Sequence, residues 1–284
     1  QDHIFTPRGY NDWTTPTQKT SDQTLPDQAV WIFSGTSDGN ELAQKLVGEG
    51  YPIVVSAATT YGAEVAAKKC PGAVIWKGQA GIKARRKTLV DNQAKVLIDA
   101  THPYADKISE QLIDLSHNLG LPYIRYERPS EFDVDAITLC SSTGKAAEHA
   151  IKTGQRIFLS TGSKDLAAFL QAPGANDKQW FVRVTAEPYF IRKALELGIP
   201  QSNICAMQGP FSQAFNTALW SDWNIDCIVT KDSGAAGGYR AKADAAKALG
   251  IPLLVIQRPQ IDYPIVCDSF DAVQQQLSDK YVKQ

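Results

Sequence analysis

The chain has 284 residues, of which 43% are hydrophobic and 21% charged, and this composition excludes collagen-like, low-complexity and wholly disordered proteins. Its 29 Lys and Arg residues balance its 30 Asp and Glu residues, so no global field attracts nucleic acid or an anionic membrane. No apolar run approaches the roughly 20 residues that a membrane-spanning helix needs, and the length favours two domains of about 150 residues or less. We therefore expect a soluble two-domain protein without a nucleic-acid or membrane partner.

The N-terminal part divides into an arm and an alternating region. Residues 1–28 are polar and lack a period, which predicts a flexible arm. From Ala29 onward, β-branched or aromatic runs alternate with stretches of helical period, a pattern typical of a parallel α/β sheet. The predicted strands are 29–34, 52–57, 73–76, 95–99, 121–126 and 137–140. The predicted helices are 38–48, 62–69, 81–92, 103–119 and 143–153.

The second half of the chain repeats this pattern. The Leu-Gly-Leu-Pro of residues 119–122 recurs as the Leu-Gly-Ile-Pro of residues 249–252. The predicted strands here are 156–161, 179–184, 204–207, 226–230, 252–257 and 264–267, and the predicted helices are 164–171, 187–198, 211–222, 240–249 and 269–281. The fold class is therefore α/β, with two Rossmann-like, doubly wound parallel-sheet domains related as an internal repeat. We place these domains at residues 29–153 and 154–284.

The loop after the first strand is a candidate phosphate cradle. In doubly wound sheets, ligands bind beyond the carboxyl ends of the strands, where the strand order reverses. Gly35 permits close backbone approach there, and the hydroxyls of Thr36 and Ser37 stand at the start of a helix, where amides bind anions. The same residues also suit an ordinary capped turn, because the GxGxxG pattern is missing.

The loop after the second strand favours NADP over NAD. A dinucleotide fold that selects NAD carries an acidic residue near this point, which would repel a 2′-phosphate. Here the chain offers the hydroxyls of Ser56, Thr59 and Thr60 and no acid. The alternative is that Thr59 and Thr60 only form a turn.

The loop after the fourth strand contains Asp99, Thr101 and His102. Pro103 suits the first position of a helix, which places His102 near the N-cap at the predicted crevice, where an imidazole can donate, accept or titrate. We expect a binding or catalytic role for Asp99 and His102, and a cofactor contact for Thr101. His3, His117 and His149 have no partner at metal spacing, and the five cysteines have no CxxC spacing, so we predict no metal site and a cytoplasmic location.

The matching loops of the second half form a second predicted crevice. The fourth-strand loop carries Lys231, Asp232, Ser233 and Gly234, a flexible polar run that can wrap an anion. The first-strand loop adds Ser163 and Lys164, and a third loop adds Ser212. These residue types suit the binding of carboxylates.

Several of these motifs together resemble the precorrin-6A reductase family of cobalamin biosynthesis. The resemblance rests on the Asp-Ala-Thr-His-Pro-Tyr-Ala of residues 99–105, the Thr-Lys-Asp-Ser-Gly of residues 230–234 and the loops described above, in family order over about 29–260. The chain departs from the family at residues 78–81, where it has Gly-Gln-Ala-Gly and relatives often have Gly-Arg-Leu-Asp.

This resemblance implies NADPH-dependent reduction of one double bond of precorrin-6A, or of its cobalt form, to give precorrin-6B. It implies a tetrapyrrole substrate and hand-over contacts with neighbouring pathway enzymes. Asp99, His102 and Lys231 are then the catalytic candidates. Candidates for binding the carboxylates of the ring are Arg125, Arg128, Lys164, Lys231 and Arg240.

Two other hypotheses remain open at this point. The missing GxGxxG and the altered residues 78–79 are compatible with a non-catalytic dinucleotide or tetrapyrrole binding module. A two-domain α/β transferase is a weaker third hypothesis. Oxidation of NADPH would distinguish the reductase from the non-catalytic binding module. A rise in melting temperature with NADPH would distinguish the reductase from the transferase.

Overall fold

The computed structural model describes residues 24–77, 81–130, 132, 137–234 and 237–281. The strands are β1 (Val30–Ser34), β2 (Ile53–Ala57), β3 (Val74–Lys77), β4 (Val96–Ala100), β5 (Tyr123–Tyr126), β6 (Thr138–Cys140), β7 (Arg156–Ser160), β8 (Gln179–Val184), β9 (Ile204–Ala206), β10 (Cys227–Lys231), β11 (Leu253–Ile256) and β12 (Val266–Cys267). The helices are α1 (Ser37–Gly48), α2 (Thr60–Lys69), α3 (Ile82–Asp91), α4 (Asp106–Leu119), α5 (Thr143–Thr153), α6 (Leu166–Leu170), α7 (Pro188–Glu196), α8 (Gln213–Asp222), α9 (Tyr239–Leu249) and α10 (Phe270–Lys280).

Two parallel six-stranded sheets organise the described residues. The first has the order β12-β5-β4-β1-β2-β3 and, with its helices, is called the first lobe. The second has the order β6-β11-β10-β7-β8-β9 and is called the second lobe. The two orders correspond strand for strand, which confirms the predicted pair of Rossmann-like sheets.

The two lobes exchange their sixth strands. β6 follows β5 in the chain but pairs with β11, and β12 follows β11 but pairs with β5. Helix α5 packs on β10 and β11, and α10 packs on β5 and β12. The expected division after residue 153 assigns β6 and α5 to the first half, whereas strand pairing assigns them to the second. A sequence repeat does not show this difference, because a sixth strand can satisfy its hydrogen bonds on either sheet.

Each sheet is covered on both faces by helices. Val30 and Ile32 of β1 point to one face, where they pack with residues of α1 and α10. Trp31 and Phe33 point to the other face, against residues of α3 and α4. In the second lobe, Phe158 packs with residues of α8 and α9, and its neighbours in β7 pack with α5. Strands buried on both faces explain the continuous apolar runs in the sequence.

The predicted elements lie within a few residues of the observed ones, except at the start of α4. This helix begins at Asp106, not at Pro103, because residues 102–105 close a turn in which the Ala105 N–H donates to the His102 carbonyl at 2.8 Å. The turn keeps His102 and Tyr104 in the loop beyond β4. Of the predicted arm, residues 1–23 lie outside the described residues. Among the helices that the structure describes, none has the length and apolar character to cross a membrane.

Candidate active site

The first-lobe loops after β1 and β4 lie directly against each other. The Gly35 N–H donates to the Ala100 carbonyl at 3.3 Å, and a Cβ at Gly35 would lie 3.1 Å from the His102 nitrogen. A Cβ at Gly39 would lie 2.7 Å from the Ser34 Oγ. The two glycines therefore bring the start of α1 against the end of β4. This close approach forms a backbone cradle at the amino end of a helix, which suits a phosphate group.

The hydroxyls around this cradle already serve the fold. Thr36 is the N-cap of α1 and accepts from the Gly39 N–H at 3.1 Å, while Thr59 is the N-cap of α2 and accepts from the Gly62 N–H at 2.9 Å. Ser56 is buried within β2, whereas Thr60 is exposed. The capped turns expected as the alternative are therefore present at Thr36 and Thr59, at the edge of the sheet where the predicted cofactor site lies. No acidic side chain occupies residues 57–61, but the altered residues 78–79 lie outside the described part of the chain.

Asp99 and Arg125 form a buried ion pair beneath the cradle. Both residues have 0% exposure, and Arg125 Nη1 lies 2.9 Å from Asp99 Oδ1. Asp99 also accepts from the Thr101 hydroxyl at 2.7 Å and from the Tyr123 hydroxyl at 2.7 Å. Burial and the Asp99 carboxylate raise the pKa of Tyr123, so it remains a donor. Contrary to the sequence-based expectation, Asp99 and Arg125 are enclosed by protein and do not face a ligand.

This pair extends into a chain of charges that crosses between the lobes. Glu127 Oε2 lies 2.7 Å from Arg125 Nη2, and Glu127 Oε1 lies 2.8 Å from Arg258 Nη1. Arg258 Nε lies 2.7 Å from Asp232 Oδ2 in the loop after β10. Every charged group from Asp99 to Asp232 therefore has an opposite charge within 3 Å. We call these five residues the paired cluster. Asp232, predicted to bind substrate, is a buried member of it.

The fourth-strand loops of the two lobes touch through Tyr104. Its hydroxyl donates to the Ile256 carbonyl and accepts from the Asp232 N–H at 2.7 Å. The Lys231 Nζ lies 5.0 Å from the centroid of the same ring. The predicted crevices therefore face each other across the His102 loop.

His102 is largely buried at this junction and remains neutral. Burial, followed by the charges of Lys231 and Lys242, lowers its pKa to about 4. Its Nδ1 accepts from the Tyr104 N–H at 3.3 Å, so the ring proton is assigned to Nε2. A neutral imidazole here can donate or relay a hydrogen bond, but it does not carry a charge near neutral pH.

The other residues predicted to contact the substrate lie in different parts of the structure. Lys231 is held by Asp165, with the Nζ at 2.5 Å from Oδ2. Arg128 lies over the first turns of α1, 3.4 Å from Asp38 and 3.5 Å from Glu41, and therefore beside the phosphate cradle. Arg240 is exposed on α9, near Asp244. The remaining predicted contacts lie in loops beyond the second sheet, and they are Ser163, Lys164, Ser212, Ser233 and Gly234. Ser212 caps α8, and Ser233 accepts a hydrogen bond from Lys242.

Two buried cations that the sequence analysis did not predict lie at the carboxyl end of the second sheet. Arg183 of β8 is 8% exposed, and Lys242 of α9 is 6% exposed. Burial lowers the pKa of Arg183 to about 10, and burial together with the nearby Arg183 lowers the pKa of Lys242 to about 7. For Arg183, the sequence signal is a charged residue inside a strand of apolar neighbours. Among the described residues, no group of three or more His, Cys, Asp or Glu side chains could hold a metal ion.

Comparison with known proteins gives consistent matches over most of the chain. The family model described as "Precorrin-6x reductase CbiJ/CobK" matches residues 29–278. A cobalt-precorrin-6A reductase of Priestia megaterium is 33% identical over 253 residues, which cover 86% of this chain and 96% of the relative. One of Methanococcus maripaludis is 35% identical over 239 residues, covering 83% and 93%. A solved structure named CobK precorrin-6A reductase has the same fold, with a TM-score of 0.72 at 23% identity, covering 89% of this chain and 98% of that one.

Proposed function

The chain belongs to the precorrin-6x reductase family, and we propose that it reduces one double bond of precorrin-6A, or of its cobalt form, to give precorrin-6B with NADPH. The observation that carries this proposal is the meeting of the two crevices at Tyr104, which joins the loop after β4 to the loop after β10. A cofactor at one crevice and a substrate at the other would then lie at the same junction.

We assign the cofactor to the first lobe. The cradle fits a pyrophosphate because Gly35, which has no Cβ, lets the two loops pack closely and leaves backbone open to a ligand, and because α1 begins at that point. Arg128 lies beside this helix start, so we reassign it from the substrate to a cofactor phosphate. The hydroxyls and the absence of an acid after β2 favour NADPH over NADH. Bound NADPH supplies the hydride.

We assign the macrocycle to the second lobe, where cations and loop amides suit its carboxylates. One atom of the double bond accepts the hydride, and its neighbour accepts a proton. The Lys231 ammonium, held by Asp165, is our candidate for the proton donor, while neutral His102 positions the acceptor by a hydrogen bond. Asp99 contributes indirectly, since it anchors Thr101 below the cradle.

The proposal places the enzyme in the cytoplasm. All five cysteines are free thiols, and Cys70, Cys140, Cys227 and Cys267 are buried. Burial raises the pKa of the Cys227 thiol to about 12, which keeps it protonated and unreactive. Free thiols are compatible with a reducing compartment.

The test is an anaerobic assay with NADPH and either precorrin-6A or cobalt-precorrin-6A, followed at 340 nm. We expect substrate-dependent oxidation of one NADPH per macrocycle, with NADH less effective. Binding of both ligands without oxidation would instead support a non-catalytic module.

A pair of glycine variants tests the assignment of the cofactor site. Gly35→Val should weaken NADPH binding by at least about tenfold, since the side chain would enter the cradle. Gly48→Val, where a Cβ meets nothing within 4 Å, is the matched control. Equal NADPH affinities in titrations of the two variants would contradict the assignment of the cradle.

A further inference from the structure

Lys77 lies at the end of β3, on the edge of the first sheet that carries the phosphate cradle. It is in register with Ala57, the last residue of β2. Neighbouring strands are about 4.8 Å apart, so Lys77 stands one strand away from the point where dinucleotide folds recognise the ribose 2′ position. Its place in the sheet makes it a candidate for recognising that part of the cofactor.

Strand alternation places Lys77 on the same face of the sheet as α1 and α2. Val74 and Trp76 pack with residues of α3 and α4. Ile75 points the other way and packs with residues of α1 and α2. Side chains two residues apart in a strand share a face, so Lys77 lies on the side of Ile75. This is the face on which α1 begins at the cradle.

The next cations along the chain lie on the opposite face. Residues 78–81 read Gly-Gln-Ala-Gly and contain no cation, so Lys83 is the next one. Lys83 and Arg85 belong to α3, whose Leu89 packs on the other side of the sheet. The Arg85 guanidinium also donates to Gln111 Oε1 at 3.2 Å. Within the described part of the chain, Lys77 is therefore the cation that the end of β3 offers to the face of α2.

The Lys77 ammonium is exposed and has no fixed partner in the protein. Among the described residues, it forms neither an ion pair nor a side-chain hydrogen bond. The hydroxyl of exposed Thr60, just beyond the end of β2, likewise has no hydrogen-bond partner among those residues. Arg128, by contrast, is already engaged by Asp38 and Glu41. An available ammonium and an available hydroxyl suit a phosphate group, which accepts several hydrogen bonds and carries negative charge.

We propose that Lys77, together with the Thr60 hydroxyl, binds the 2′-phosphate of the cofactor, and that Lys77 thereby sets a preference for NADPH over NADH. The identity of the cofactor rests on the proposed function, and this inference adds the residue that distinguishes the two nucleotides. The pyrophosphate is common to both nucleotides, so binding at the cradle does not distinguish them. NADH lacks the 2′-phosphate and gains nothing from the ammonium charge.

The experiment uses the full chain and the variants Lys77→Met, Lys77→Arg and Lys83→Met. Lys83→Met is the matched control, because Lys83 is an exposed lysine near the same edge but on the opposite face. Fluorescence titration measures the affinities for NADPH and NADH, and competition compares adenosine 2′,5′-bisphosphate with AMP. Each titration is repeated at low and high salt, because salt screens an exposed charge pair. Thermal unfolding without ligand checks that the variants fold.

Lys77→Met should bind NADPH at least about tenfold more weakly and NADH within about twofold of wild type, because it removes a charge that contacts the 2′-phosphate alone. Adenosine 2′,5′-bisphosphate should lose its advantage over AMP in the same variant. The NADPH preference of wild type should fall with salt, whereas that of Lys77→Met should not. Lys77→Arg and Lys83→Met should keep the preference, and all melting temperatures should stay close to that of wild type.

The outcomes separate this inference from the proposed function. An unchanged ratio of NADPH to NADH affinity in Lys77→Met, or an equal loss of both affinities, would overturn the role of Lys77 and leave the reductase in place. Equal changes in Lys77→Met and Lys83→Met would also overturn it, since they would show a general field and not a contact. A ratio that depends on Lys77, without oxidation of NADPH by the macrocycle, would retain the 2′-phosphate site and contradict the proposed reaction.

Discussion

The structure contains two groups of buried charges that differ in how they are neutralised. In the paired cluster, Asp99, Arg125, Glu127, Arg258 and Asp232 alternate in sign, and each has a partner within 3 Å. Arg183 and Lys242 donate hydrogen bonds to neutral side chains and form no ion pair within the part of the chain that the structure describes. Burial costs free energy in both groups, but only the first group offsets that cost internally. The ion pairs of the paired cluster join residues of the two lobes and so help to hold the lobes together, whereas no ion pair among the described residues offsets the burial of Arg183 and Lys242.

The largest effect should follow from breaking the paired cluster. Arg125→Met leaves Asp99 without its buried counter-charge and removes one partner of Glu127. We expect a loss of about 3–5 kcal/mol in the free energy of unfolding, measured by urea denaturation. Arg183→Met, at a similarly buried arginine, should lose little or none. Similar losses in the two variants would show that the distinction between paired and unpaired charges is wrong.

His102 lies near cations of both groups, so its titration reports on their combined field. The folded-state pKa is about 4, against an ordinary value of 6.5. Between these values the unfolded chain binds a proton that the folded chain does not. Stability therefore falls as the pH is lowered from 6.5 toward 4, by roughly 2–3 kcal/mol from this residue.

His102→Gln should remove that part of the acid sensitivity. The free energy of unfolding is measured from pH 7 to pH 4.5, with His117→Gln, at an exposed position on α4, as the control. If the slopes of wild type and His102→Gln coincide, burial and the nearby cations together do not lower the pKa of His102.

A smaller loss of stability should follow when the hydrogen bonds of Tyr104 between the two lobes are removed and every charged residue is kept. Tyr104→Phe removes the hydrogen bond to the Ile256 carbonyl and leaves the Asp232 N–H with only its longer bond, at 3.4 Å, to the same carbonyl. We expect a loss of about 1–2 kcal/mol in the free energy of unfolding, together with a lower kcat, since the lobes are held less firmly. Tyr61→Phe, at a tyrosine that is 55% exposed, is the control. An unchanged kcat would assign Tyr104 to stability alone.

The sequence predicted the fold better than the site, for physical reasons. Hydrophobic period and turn residues are local signals, so the order of strands and helices and the loops beyond β1, β4 and β10 could be predicted. Strand exchange could not, because β6 and β12 carry no signal for the sheet they join. Arg125 and Arg183 are both arginines within strands, and only the three-dimensional structure shows that Asp99 forms an ion pair with the first, whereas the second donates to the neutral Asn216 side chain. The sequence predicted Asp99 at the end of the fourth strand, but it could not show that the side chain turns inward to Arg125.

The smallest effect should be a shift in the His102 pKa when one unpaired cation is removed. Burial is the largest cause of the lowered pKa, and the charge of Lys231 precedes that of Lys242. Lys242→Met should therefore raise the His102 pKa by less than about one unit, equivalent to at most about 1.4 kcal/mol. NMR titration of the imidazole measures it, with Lys247→Met as the control. An unchanged His102 pKa in Lys242→Met would contradict the contribution of the Lys242 charge.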